Sequence, residues 1–147
     1  MSISFEDAYH GLEKEVSIEG KKRKIKIPAG VNDGSRIQFN DFILSINVKP
    51  SPIYERDGVD LYVNVQVPYS LLAIGGDIKV PTMESEIKIK VRAGTQPGSL
   101  IRLKDHGFPY LQSRGKGDLY VRINVQVPKK LSRKQKSLLQ QLREEGL

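Results

Sequence analysis

Residues 24–37 read KIKIPAGVNDGSRI, and residues 88–101 read KIKVRAGTQPGSLI. Comparison of 3–39 with 67–103 gives ten identical positions of 37, and the match resumes at a shift of 77. The residues identical at this second shift are Asp41/Asp118, Ile46/Ile123, Asn47/Asn124 and Val48/Val125. The second copy therefore carries about thirteen extra residues, near 104–117. Such self-similarity predicts two tandem copies of one structural unit.

The pattern inside each copy is that of β-structure. Ile and Val make up 26 of the 147 residues, and apolar side chains alternate with polar ones at 25–27, 61–67, 87–91 and 119–125. Alternation with period two is typical of half-buried strands, and Gly, Pro, Asn and Asp clusters between them indicate turns. The sequence predicts a mostly β protein with two sandwich-like domains. Strand 60–67 opens the second copy and its counterpart would lie before residue 1, so we expect a fragment of a longer protein.

Two segments carry helix signals. Ser4 can cap a short helix over 5–10, with Asp7 three residues later and Gly11 at its exit. Ser132 and Gln135 form a capping box for a second helix over 132–145. The apolar stripe of this helix consists of Leu138, Leu139 and Leu142. Such a stripe docks either on its own domain or on another chain, and spacing alone leaves both open.

Composition excludes several classes of site. The chain has no cysteine and two histidines, which excludes disulfides, cysteine zinc sites and histidine-rich metal sites. No apolar run approaches the roughly 20 residues of a membrane span, and no signal peptide is recognisable, so we expect a cytoplasmic protein. The net charge is +7, of which +4 lies within 129–147. A nucleic-acid-binding face would spread its charge more widely, and we interpret the basic run 21–24 as a solvated hairpin tip.

Enzyme motifs are absent. The acidic cluster Glu55, Asp57 and Asp60 lacks the spacing of a calcium loop, and no nucleophile elbow, phosphate loop or metalloprotease motif occurs. His10 and His106 are interpreted as structural. We therefore predict a protein without catalytic residues, metal or cofactor.

Binding of an extended peptide suits this composition better. A sheet with an exposed edge can add a peptide as one more strand, and an apolar groove beside it favours hydrophobic side chains. Ile25, Ile27, Ile37 and Phe39 lie on two predicted strands joined by a turn. They either line such a groove or fill the core of the first unit, and the pattern alone favours the core.

Seven segments of the chain form a characteristic set. They are FEDAYHG at 5–11, PSPIYERDGVDL at 50–61, GGDIKVPT at 75–82, AGTQPG at 93–98, RLK at 102–104, GFP at 107–109 and GKGDLYV at 115–121. Together these segments resemble the C-terminal region of DnaJ-type (J-domain) co-chaperones. They run in family order over nearly the whole chain, so the set is specific although each motif alone is weak.

The resemblance implies a fold and a function. Its fold would be two tandem β-sandwich-like domains of the DnaJ C-terminal type, at 1–52 and 53–128, followed by a short helical dimerisation segment at 129–147. Its function would be to bind exposed hydrophobic segments of unfolded polypeptides and to deliver them, within the full-length protein, to a DnaK-type chaperone. The client-peptide groove would be lined by Ile25, Ile27, Ile37 and Phe39. The acidic tail of a partner chaperone would meet Lys24, Lys26 and Arg36, and the homodimer contacts would be Leu138, Leu139 and Leu142.

Three features depart from the family pattern. No His-Pro-Asp tripeptide occurs, so this chain alone should not stimulate the ATPase of a DnaK-type chaperone. The zinc-binding cysteine repeats of some members are absent, which suits the zinc-free class. Asn40 leads directly to Asp41 where relatives usually carry a Gly-rich loop.

Two alternative functions remain. One is a nucleic-acid-binding module that uses the run 21–24 and the tail from Lys129, and the other is a purely structural dimerisation fragment.

Overall fold

The computed structural model describes residues 1–147 and shows two β units, each of which contains one short helix. The first unit comprises β1 (Ser2–Ile3), α1 (Phe5–His10), β2 (Leu12–Ile18), β3 (Lys21–Ile27), β4 (Arg36–Gln38), β5 (Ile43–Ser45) and β6 (Asn47–Val48). The second comprises β7 (Tyr54–Asp57), β8 (Asp60–Val67), α2 (Tyr69–Ile74), β9 (Gly76–Pro81), β10 (Glu86–Val91), β11 (Leu100–Leu103) and β12 (Leu119–Val125). The last helix, α3 (Arg133–Glu144), follows the second unit. The predicted mostly β fold with a short C-terminal helix is confirmed.

Strand pairing is equivalent in the two units. β1 pairs with β6 in parallel and places Ile3 opposite Val48, while β8 pairs with β12 in parallel and places Val67 opposite Val125. These partners are related by the shifts of 64 and 77 that relate the sequence copies. Antiparallel pairs β2–β3 and β9–β10 correspond in the same way. The repeat in the sequence is therefore a repeat of topology and register, and the domain limits 1–52 and 53–128 stay a prediction.

The short helices α1 and α2 follow β1 and β8, which are equivalent strands of the two units. In α1 the Ser4 hydroxyl accepts a hydrogen bond from the Asp7 backbone N–H, and the Asp7 carboxylate accepts one from the Ser4 N–H. This reciprocal cap satisfies two backbone donors that a helix start leaves free. α2 lacks such a side-chain cap, because Pro68 stands at its N-cap position. Its sequence carried no local helix signal, although its place in the repeat matches that of α1.

Helix α3 begins after Ser132, and the predicted capping box with Gln135 is present. All residues from 126 to 147 are exposed, so α3 buries no side chain within this chain. None of the three helices has the length and apolarity needed to cross a membrane. No three His, Asp or Glu side chains lie close enough together to hold a metal ion.

One apolar core runs through both units. Its twenty buried residues include Ile25 and Ile46 from the first unit and Leu61 and Val121 from the second. The two units meet at aromatic rings, where Phe5 of α1 stacks on Tyr54 of β7 with ring centroids 6.2 Å apart. The predicted limit at 52/53 thus separates two stretches of chain that bury side chains against each other.

Candidate peptide-binding surface

The four predicted groove residues lie at two different depths. Ile25 and Ile27 point from β3 into the core, and each is 1% exposed. Ile37 on β4 and Phe39 just beyond it are half-buried. The groove role of all four stays a prediction. In this conformation only Ile37 and Phe39 present side-chain surface that a client could contact.

The turn after β4 carries an aromatic pair. Phe39 stacks on Phe42 with ring centroids 4.7 Å apart and planes 17° apart, and the Phe39 N–H donates to the Phe42 carbonyl at 2.8 Å. Leu44 on β5 lies opposite Ile37 in the register, and strand alternation places both on the side of the aromatic pair. We call the half-buried row Ile37, Phe39, Phe42 and Leu44 the apolar ridge. Phe42 and Leu44 were missed by sequence reasoning, although their alternation across a four-residue turn could have indicated them.

An ion pair holds this turn against β3. The Arg23 Nη1 donates to Asp41 Oδ1 at 2.7 Å, and the Arg23 guanidinium carbon lies 5.8 Å from the centre of the Phe42 ring. A cavity of about 180 Å³ lies beside the turn, with Ile25 among its lining residues. The short connection at Asn40 and Asp41, which departs from the family pattern, is therefore an ordered turn.

The predicted acidic-tail contacts lie on exposed strand positions. Lys24 and Lys26 on β3 stand directly opposite Glu15 and Glu13 on β2, and opposite charges across a strand pair reduce the net positive field. Arg36 is exposed at the start of β4. The hairpin tip is Glu19–Gly20, so the basic run 21–24 lies in β3 and not at the tip as interpreted from the sequence. The acidic-tail role of the three cations stays a prediction.

A second apolar surface surrounds α3. Leu138, Leu139 and Leu142 are 38–51% exposed and line a groove of about 670 Å³. The opposite wall of this groove comes from the end of β8 and the start of α2, with Pro68 and Tyr69. The groove brings together the predicted dimerisation residues, which lie far along the sequence from the ridge.

Comparisons with known proteins agree with this architecture. The family model of the DnaJ C terminal domain matches residues 1–128. A chaperone protein DnaJ from Ruminiclostridium cellulolyticum is 41% identical, over 84% of this chain and 36% of that protein. One from Caldicellulosiruptor saccharolyticus is 42% identical over 84% of this chain and 35% of that protein, and one from Deinococcus proteolyticus is 36% identical over 98% and 48%.

The repeat, the equivalent strand pairs and these matches define a protein of two tandem β units of the DnaJ C-terminal type. The chain belongs to the DnaJ C-terminal domain family. It spans about a third to a half of the length of these curated relatives.

Proposed function

We propose that this chain holds apolar segments of non-native polypeptides, and that the apolar ridge is its client surface. The observation that carries the proposal is the stacked pair Phe39 and Phe42, which stands at the end of the two-stranded sheet β4–β5, where β4 pairs with no other strand. An extended segment can bond to a free strand edge through its backbone while its side chains contact the aromatic rings. Backbone bonding accepts many sequences, which suits a chaperone with many clients.

The test is suppression of aggregation of a chemically denatured model protein. We expect Phe39→Ala/Phe42→Ala to need about tenfold more chain for the same suppression, because two aromatic contacts worth about 1.4 kcal/mol together are lost. The matched control is Tyr62→Ala/Tyr120→Ala. That pair is also stacked, with ring centroids 5.1 Å apart, but lies on the four-stranded sheet of the second unit.

Both variants are first shown to be folded by circular dichroism. Equal suppression by the parent and the Phe39→Ala/Phe42→Ala variant would place client binding outside the apolar ridge. An equal loss in both variants would mean that the chain binds clients through aromatic rings in general and has no dedicated ridge.

We further propose a homodimer that buries the α3 groove. The support is the exposure of Leu138, Leu139 and Leu142 together with the facing wall of Pro68 and Tyr69. A dimer carries two apolar ridges, one from each chain. Once a client is bound to one ridge, its effective concentration at the other ridge is raised, so that avidity exceeds each single affinity. Delivery of the held client to a DnaK-type chaperone belongs to this proposal for the longer protein, and the cytoplasmic location stays a prediction.

Light scattering after size exclusion tests the dimer. We expect the parent at twice the 16.5 kDa chain mass and Leu138→Glu/Leu142→Glu at the single mass, because two carboxylates in an apolar interface are costly to desolvate. The control Gln140→Glu/Gln141→Glu adds the same charge to residues of α3 that do not line the groove, and should stay dimeric. If the unmodified chain has the mass of one chain at every concentration measured, the proposed dimer is refuted.

A further inference from the structure

The extra residues of the second copy enter the first unit. Phe108, in the loop 104–117 between β11 and β12, is 0% exposed. Its ring meets Phe5 of α1 edge-on at 5.0 Å and Tyr9 of α1 edge-on at 5.6 Å. A loop that belongs to the second unit thus completes the core beside the helix of the first.

Arg56 on β7 packs against the buried Phe108 ring. Its guanidinium carbon lies 3.8 Å from the centre of the Phe108 ring. Its Nη1 donates to the Val31 carbonyl at 2.6 Å, and its Nη2 donates to the Gly30 carbonyl and to Asn32 Oδ1, both at 3.0 Å. These three acceptors lie in the connection between β3 and β4 of the first unit.

No carboxylate compensates this charge, because Arg56 forms no salt bridge. Burial lowers the pKa of Arg56, whose guanidinium is nevertheless charged at neutral pH. Its charge is balanced by carbonyl dipoles of the first unit and by the face of the Phe108 ring. Moving the units apart would remove the three acceptors of the first unit and leave this half-buried charge with only the Gly58 carbonyl, 2.8 Å from Arg56 Nε, and the Phe108 ring, which is costly.

A third contact links the units through α1. The Tyr9 hydroxyl donates to Glu84 Oε1 at 2.8 Å and accepts from Lys116 Nζ at 2.6 Å, while Lys116 and Glu84 form an ion pair. Tyr9 belongs to the first unit, whereas Glu84 lies between β9 and β10 and Lys116 in the loop 104–117. Hydrogen bonds to Glu84 and Tyr9 raise the pKa of Lys116, so the pair stays charged well above neutral pH.

We propose that Arg56, Phe108 and the Tyr9–Lys116–Glu84 contact form a brace that holds the two units in one fixed orientation. The covalent connection between them, residues 49–53, is exposed over most of its length and would not fix an orientation alone. The three brace contacts tie three different parts of the second unit to α1 and to the β3–β4 connection. For the family function proposed above, on which this consequence rests, the brace fixes the position of the apolar ridge relative to the second unit, which α3 follows in the chain.

Spin-label distances test the brace directly. The chain has no cysteine, so Lys22→Cys in β3 and Lys90→Cys in β10 place one label on each unit at an exposed position. Labelled chain is diluted into excess unlabelled chain so that only distances within one chain contribute. The brace variants are Arg56→Met and the double variant Arg56→Met/Lys116→Met. Methionine preserves the unbranched aliphatic stem of Arg56 and removes every hydrogen bond that the guanidinium donates.

The matched control is Arg122→Met. Arg122 also lies near an aromatic ring, 5.8 Å from the centre of Tyr62, and also donates to an amide oxygen, that of Asn64, but all three residues belong to the second unit. We expect one narrow distance peak in the parent and in Arg122→Met, and loss of that single peak in Arg56→Met/Lys116→Met. The parent peak in the folded double variant would overturn the proposal, and so would a broad distribution in the parent.

Two further readouts keep the inference separate from the client proposal. If Arg56→Met/Lys116→Met does not fold, Tyr9→Phe, which removes only the bridging hydroxyl, and Lys116→Met alone are measured, and an unchanged peak in both overturns the role of the third contact. Affinity for a short apolar peptide should be unchanged in the brace variants, whereas suppression of a long client should weaken. Failure of all peptide binding would refute the client surface without affecting the distance result.

Discussion

Replacement of Phe108 by alanine should lower the free energy of unfolding by about 3–5 kcal/mol. The ring is fully buried, and truncation leaves a cavity against Phe5 and Tyr9 and removes the aromatic face below the Arg56 guanidinium. This truncation differs from an ordinary core truncation because the cavity lies between the two units, so it also weakens the contact that joins them. Urea denaturation followed by circular dichroism at one fixed chain concentration measures it, since a dimer's stability depends on concentration.

The control for this prediction lies two residues away in the same loop. Tyr110 is 43% exposed, and Tyr110→Ala should change the free energy of unfolding by less than about 1 kcal/mol, as is usual for a surface position. A loss at Phe108 no larger than at Tyr110 would show that the loop 104–117 does not bury its ring in solution.

Replacement of Gly30 by alanine should be the second most damaging change. Gly30 has φ +92°, and an added β-carbon would overlap the Pro109 carbonyl oxygen in the loop 104–117. A left-handed backbone costs a non-glycine residue about 1–2 kcal/mol, and relief of the overlap by displacement of the loop costs about 1–3 kcal/mol more. The Gly30 carbonyl itself accepts a hydrogen bond from Arg56, so a shift of the Gly30 backbone that relieves the overlap also weakens the brace.

Gly34→Ala isolates the two contributions. Gly34 lies four residues later with φ +81°, but an added β-carbon there would meet nothing within 4 Å. The two variants therefore share the backbone strain, and the difference between their urea midpoints measures the overlap with the loop. Equal midpoints would mean that the close approach of the two units at Gly30 does not persist in solution.

Much of the fold follows from local pattern. Alternation of side chains along 61–67 and 119–125 specifies strands, because successive residues of a strand point to opposite faces. The capping residues Ser4 and Ser132 specify where two helices begin, because they bond to backbone groups three residues away. The shared turns of the repeat specify that both units pair their strands alike. Helix α2 was not predicted, because Pro68 at its start offers no side-chain cap. Only its position in the repeat, equivalent to that of α1, could have indicated it.

The candidate site was predictable only in part. Sequence alternation placed Ile25, Ile27, Ile37 and Phe39 on two strands joined by a turn but could not rank their depth. Depth depends on what covers a strand face, and residues distant in sequence supply that cover. For the same reason Phe42 escaped notice, since its value comes from a stack on Phe39 that closes only when β4 and β5 pair.

Short-range periodicity, capping and the internal repeat were thus enough to specify two β units, their order and the amphipathic final helix, since each of these signals acts over a few residues or compares one copy with the other. The relation between the units was decided elsewhere. Arg56 read as one charge in a turn and Phe108 as one ring in a Gly/Pro-rich loop. They meet 52 positions apart, against the connection 28–35 of the first unit, because burial of an aromatic ring and of a charge without a carboxylate is satisfied only by groups that tertiary packing brings together.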